Sequence, residues 1–303
     1  RPPAEMTALA RKEVQLPFLL KASHPNYYSY HQDNRFWETF YVTEDYSLAT
    51  LLIPFRSYQV QGTINAQYTT YKLVIRDPEG VNNAVVGLGG TYHSPMAEGN
   101  SPGDQFLQSK GTVLYQLRLN ERDIAAKVPP RSHLVLPTRY GEPQQYNNWY
   151  IWRIENTWLC ARVWGDAIAW EAKVSDKYSD DQVLAATGNN TAWVTEVVSL
   201  QEAADFEALT RRLDQTEIND RLWTNLGQLS YKSITGDRLE LTYEPNSGIG
   251  RGTVNNQERV LEDWAVLESP YLQQELSSGV LELIHPQGRW KLRTTLTAPQ
   301  WEE

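Results

Sequence analysis

Between Tyr58 and Thr70 the chain alternates without a break. Tyr58, Val60, Gly62, Ile64, Ala66 and Tyr68 fall on one face, and Gln59, Gln61, Thr63, Asn65, Gln67 and Thr69 on the other. A period of two over this length predicts a half-buried strand with an outer face of amides and hydroxyls. Further strand-sized runs rich in β-branched and aromatic residues lie at 36–42 and 112–118. Two hairpins are predicted, 231–234 with 239–243 around Thr235-Gly236-Asp237, and 280–284 with 290–292 around Pro286-Gln287-Gly288. Residues 149–174 read as a three-strand meander, 150–154, 158–164 and 167–172, broken at Glu155-Asn156-Thr157 and Gly165-Asp166.

Helical spacing is scarce. Pro2 and Pro3 open a short helix that puts Met6, Leu9 and Ala10 on one face. Ser199 and Glu202 have the spacing of a capping box, ahead of the stripe Phe206, Leu209 and Leu213. A further helical turn or two carries Ile218, Leu222 and Leu226 to Gly227. Residues 87–111 read as a long polar loop, and loops of such length are often binding loops. No internal repeat emerges. The expectation is a mainly β fold: a large antiparallel β-sandwich with a short N-terminal helix and one inserted helical segment. Residues 1–34 would be a helical remnant and linker, and 35–303 the sandwich.

Composition narrows the chemistry. With 28 Lys and Arg against 37 Asp and Glu, the net charge is −9 and no basic stripe offers itself to nucleic acid. No apolar run is long enough to span a membrane. Cys160 is the single cysteine, set mid-strand among apolar neighbours, so a buried thiol is expected and neither a disulfide nor a cysteine zinc site. The five histidines, His24, His31, His93, His133 and His285, lack metal-ligand spacing, so neither a metal nor another cofactor is expected. Eleven Trp and 17 Tyr against 6 Phe supply rings that are apolar on the face and polar at the edge, a surface suited to sugars and to ordinary β cores alike.

Two sets of residues could carry function. Gln59, Gln61, Asn65 and Gln67 present an amide face able to hydrogen-bond sugar hydroxyls, or simply to meet water. Tyr92 and His93, flanked by glycines and prolines in the polar loop, could exchange a proton at an acidic carbon, or be solvated loop residues.

The order of segments resembles a known family. Leu9-Ala10-Arg11-Lys12 and Leu16-Pro17-Phe18 lead into Phe40-Tyr41-Val42-Thr43-Glu44-Asp45-Tyr46-Ser47-Leu48. Later come Trp149-Tyr150-Ile151-Trp152, Trp158-Leu159-Cys160-Ala161-Arg162-Val163, and Tyr231-Lys232-Ser233 with Gly236-Asp237 and Leu239. Together they resemble the C-terminal part of heparinase II/III-like and alginate-lyase-like proteins, which join a helical toroid to a β-supersandwich. The His-x-His-x-Asp signature of heparinase II/III sandwiches is absent.

The resemblance implies binding of an acidic polysaccharide or oligosaccharide, or its cleavage by β-elimination. In that reaction a base takes the proton α to a uronate carboxyl and a polar environment stabilises the enolate. Tyr92, His93, Tyr46 and Arg56 are the contributing groups it suggests. It also implies an upstream helical domain as partner, without which the enzyme is incomplete, and a secreted or periplasmic location if the ligand is a glycan. The competing expectation is a non-catalytic carbohydrate-binding or structural and assembly module. The negative charge favours that alternative, or a neutral glycan, unless a basic patch such as Arg131 with Arg139 compensates.

Overall fold

The computed structural model describes residues 2–25, 35–52, 70–76, 84–89, 91–92, 99–100, 103–125, 127–171, 181–293 and 300–302. Among them the chain is mainly β, built from antiparallel sheets stacked in three layers. The outer large sheet has thirteen strands, from Ala167–Glu171 at one edge to Gln300–Glu302 at the other. Phe18–Pro25, Arg35–Val42 and Tyr46–Leu52 lie side by side within it. The sandwich therefore takes in chain on the N-terminal side of Arg35.

A six-stranded middle sheet runs Gln144–Tyr146, Trp149–Ile154, Thr157–Trp164, Asn190–Ser199, Thr112–Arg118, Asp104–Ser109. A five-stranded small sheet, made by 217–258, covers its far side together with the helix Phe206–Leu213.

The middle sheet is buried on both faces, and its sequence shows why. In Thr112–Arg118 the side chains of Val113, Tyr115 and Leu117 enter the core shared with Leu48, Leu73, Leu134 and Leu184 of the large sheet. Leu114 points the other way, into a second core with Leu229, Tyr231, Leu239 and Leu241 of the small sheet and Leu209 and Leu213 of the helix. Trp152 and Trp193 serve the first core, and Trp158, Cys160 and Val194 the second. Period-two alternation persists, but each parity finds an apolar partner, so the strands read as continuous burial.

Several sequence expectations hold and several are corrected. Both predicted hairpins form, as Gln228–Lys232 with Arg238–Thr242 and Val280–His285 with Gly288–Arg293. The N-terminal helix spans Ala4–Ala10, with none of its residues fully buried. Cys160 is buried, and burial pushes its thiol well above the usual range.

The inserted helix starts at Asp205, whose side chain accepts from the Ala208 N–H, and not at Ser199. Glu202 does reach back to the Ser199 N–H at 3.1 Å, but the box closes a turn rather than a helix. The stretch 218–227 is a three-residue strand, Glu217–Asn219, and a single helical turn, Trp223–Leu226, ended by Gly227 at φ 64°.

The meander is not one. Ala167–Glu171 leaves the middle sheet and pairs with Asp181–Thr187 in the large sheet. Thr157–Trp164 already has neighbours on both sides, Trp149–Ile154 and Asn190–Ser199, so no place beside it is open. The Asp166 N–H is pinned to the Thr187 carbonyl at 2.7 Å, and Trp170 meets Trp152 across the core with ring centres 5.7 Å apart.

The predicted polar loop 87–111 is also shorter than expected, because Asp104–Ser109 is a buried strand. Its polar side chains are satisfied internally. Tyr115 donates to Asp104 at 2.8 Å, Gln105 to the carbonyls of Glu244 and Ser247, and Gln108 to the Leu48 carbonyl at 3.0 Å. Hydrogen-bonded in this way, amides and carboxylates can be buried without the full desolvation cost.

A cleft where the three layers meet

One hollow, of about 880 Å³, lies beside the N-terminal helix and is bordered by Arg11, Lys12, Glu44 and Arg76. Lys12, Arg76 and Glu44 are already engaged within the protein. The Lys12 amine donates to the Thr43 carbonyl at 2.8 Å, and Arg76 lies 3.5 Å from Glu44. A second hollow of about 780 Å³ has a more varied lining and is formed by all three layers.

The large sheet contributes Lys21, Thr39 and Tyr41, the middle sheet Gln108, Ser109 and Lys110, and the small sheet Asp237, Asn255 and Gln257. The segment 259–268 closes one side with Arg259, Asp263 and Trp264. A smaller hollow of about 210 Å³, lined by Thr43 and Glu202 among others, shares Pro17 and Tyr41 with this cleft.

Each wall is held by identifiable bonds. Thr50 donates to Gln108 at 2.8 Å, joining the strand Asp104–Ser109 to the large sheet. Asn255 and Asn256 both have left-handed φ, 53° and 64°, the conformation of a tight two-residue hairpin turn, in which asparagine is favoured. That turn lets Asn255 donate to Asp237 at 3.0 Å. Ser109 and Lys110 reach the same carboxylate, each at 2.9 Å. On the other wall, Trp37 donates to the Leu261 carbonyl and Ser23 to the Ala265 carbonyl, both at 2.8 Å, fixing the loop that carries Trp264. Lys21 sits 5.5 Å from the Trp264 ring centre.

The electrostatics follow from these contacts. Burial works against ionisation of Asp237, but hydrogen bonds from Asn255, Lys110 and Ser109 outweigh it and hold the carboxyl below the usual carboxylate range. Burial, reinforced by Glu202 and Asp237, raises the Tyr41 phenol, so it stays a proton donor at neutral pH. Arg259 donates to the carbonyls of Phe106 and Gly250 at 2.6 and 2.7 Å, and burial pulls its guanidinium down to about 10, which leaves it cationic.

Of the residues singled out in the sequence, Tyr46 is the one whose side chain is described. It is 1% exposed, and its hydroxyl donates to the Val197 carbonyl at 3.0 Å between the large and middle sheets. Tyr92 belongs to a two-residue strand, Thr91–Tyr92, paired with Gly99–Asn100, and its side chain lies outside the description. His93, Arg56, Gln59, Gln61, Asn65 and Gln67 lie outside the described residues, as does the alternating segment 58–69.

Arg131 opens the strand Arg131–Pro137 and Arg139 lies beyond its other end, about a strand's length away.

The cleft residues Trp264, Tyr41, Asn255 and Asp237 were not singled out as site residues, because they come from four distant segments. Asp237 carries a local signal, that of the turn Thr235-Gly236-Asp237, but a turn does not mark a binding site. Among the described residues no group of three or more His, Cys, Asp or Glu could hold a metal ion, and no helix is long and apolar enough to cross a membrane. Comparison of the chain with protein-family models, curated proteins and solved structures found no significant match.

Proposed function

We propose that the cleft binds a carbohydrate chain and that the protein is a carbohydrate-binding β-sandwich. The observation that carries this reading is the lining itself, where Trp264 and Tyr41 stand beside Asn255, Gln257, Asp237 and Lys110 in a hollow of about 780 Å³. Sugar rings offer an apolar face to an aromatic ring and hydroxyls to amides and carboxylates, and clefts of roughly 300–1,000 Å³ are typical of small-ligand sites. A second hollow adjoins the cleft at Pro17 and Tyr41, an arrangement that suits a chain better than a single sugar.

Charge favours a neutral glycan. The lining holds Lys21, Lys110 and Arg259 against Asp237, Glu258, Asp263 and Glu268, so there is no positive excess to attract a polyuronate. β-Elimination, the chemistry that the family resemblance implies, needs a base able to accept a proton. Tyr41 is the phenol of the cleft, and its raised ionisation range makes it a poor one. The carboxylates of the lining are the remaining candidate bases, so it is the lack of a positive excess that favours binding of a neutral chain over cleavage of a uronate.

Calorimetric titration with neutral and uronic oligosaccharides tests the reading, with tryptophan fluorescence in parallel. Saturable binding of a neutral chain, weakened by Trp264→Ala, is expected. No binding of either class would overturn it, and new ultraviolet absorbance from an unsaturated uronate would replace it with lyase chemistry.

A further inference from the structure

One carboxyl is enclosed in the second core. Glu196 lies on Asn190–Ser199 in the middle sheet, 1% exposed, with Thr112 and Cys160 as its partners on the two flanking strands. Its side chain crosses to the small sheet. Thr112 donates its hydroxyl to one carboxyl oxygen at 2.8 Å, and the Ile234 N–H donates to the other at 2.9 Å.

Ile234 belongs to the turn 233–237, which closes on itself through the Ser233 N–H to the Asp237 carbonyl and the Asp237 N–H to the Ser233 hydroxyl. The last residue of that turn is Asp237, the carboxylate that gathers Ser109, Lys110 and Asn255 on the cleft wall. A single backbone bond thus ties the core carboxyl to the turn that carries a wall of the cleft.

We propose that Glu196 is a positioning residue that works as a proton-operated latch on the turn 233–237, closed when the carboxyl is protonated and loosened when it is ionised. The groups facing it supply no cation. Thr112 and Cys160 flank it in the middle sheet, Tyr231 and the Ile234 amide face it from the small sheet, and Glu202 adds a like charge from the turn before the helix. Tyr46 stands on the large-sheet side of the middle sheet.

Burial is the largest influence and raises the carboxyl to about 7, even though Ile234, Tyr231 and Thr112 pull the other way. If the turn lifts, water reaches the carboxyl and its ordinary value of 4.5 returns. The closed turn therefore holds the proton more tightly than the open one. Acid closes it, and rising pH releases it through the interval from about 4.5 to about 7.

The latch rests on the burial of Glu196 and on its bond to the Ile234 amide, and only its effect on ligand rests on the cleft reading. Hydrogen exchange of the full chain, read at the Ile234 amide and corrected for intrinsic rate, tests it directly. Opening of the turn should rise by one to two orders of magnitude between about pH 5 and about pH 8. Glu196→Gln, which keeps the acceptor and donor shape, should flatten that dependence. Thr112→Val, which removes a bond to the ionised form, should move the midpoint upward. A flat profile in the unaltered protein, or an unchanged slope in Glu196→Gln, would overturn the latch. Oligosaccharide affinity over the same range is read separately. A working latch without sugar binding would leave this inference standing and remove the glycan reading alone.

Discussion

The Tyr46 hydroxyl donates to the Val197 carbonyl at 3.0 Å, and Gly111 lies so close that a β-carbon there would stand 2.6 Å from that hydroxyl and 2.5 Å from that carbonyl oxygen. Two layers touch at this point through one bond and one missing side chain. Tyr46→Phe removes a buried hydrogen bond and should lower unfolding free energy by about 1–2 kcal/mol. Gly111→Ala should cost about 1–3 kcal/mol, because one of the atoms it meets is backbone and cannot rotate away. Urea unfolding of both variants is the measurement. A neutral Gly111→Ala would mean that the layers can separate slightly at no cost.

The helix Phe206–Leu213 is capped by Asp205, which accepts from the Ala208 N–H at 2.7 Å. Asp205→Ala should destabilise the protein by about 1 kcal/mol, whereas Asp205→Ser should recover most of it. If instead the Ser199–Glu202 pair were the start of the helix, Glu202→Ala would be the costlier change in the same unfolding assay.

Global stability should also respond to Glu196. Its folded value of about 7 lies above the ordinary 4.5. The native state therefore binds the proton more tightly, so the stability this group contributes is complete below about 4.5 and is lost as pH rises from there to about 7. The total is about 3 kcal/mol. Asp237 does not confuse the window, since its carboxyl is held below the usual range and is ionised throughout it. Urea midpoints at about pH 5 and about pH 8 should differ for the unaltered protein and converge for Glu196→Gln. A midpoint that rises with pH would contradict the sign.

Binding in the cleft should depend on Trp264 more than on any single amide. Trp264→Ala should weaken oligosaccharide affinity by about tenfold or more, a size typical of a stacking aromatic. Asn255→Ala should act less directly, by freeing Asp237 from one of its holders. Calorimetry with a circular-dichroism check of folding separates the two, and equal affinity in Trp264→Ala would move the site elsewhere.

The sequence was most legible where a turn is local. Tyr231 to Tyr243 and Val280 to Leu292 announced their hairpins because glycine-bearing turns separate strand formers. It was least legible where burial is satisfied by distant partners. Asp104, Gln105 and Gln108 look like loop residues until Tyr115, Glu244, Ser247 and Leu48 are seen to meet them. Ala167–Glu171 looked like a third meander strand because its composition says nothing of which sheet has a place for it. The cleft was invisible for the same reason, since Tyr41, Lys110, Asn255 and Trp264 have no common spacing.

A middle sheet with apolar side chains on both faces cannot outlive either neighbour. Removing the small sheet would bare Leu114, Trp158 and Val194, and removing the large one would bare Val113, Leu159 and Trp193. Neither outer layer can then be excised, swapped or shed by a protease without leaving a surface that aggregates. For anyone dividing this chain into transferable modules, the stack is indivisible, and cuts are tolerable only at the rims.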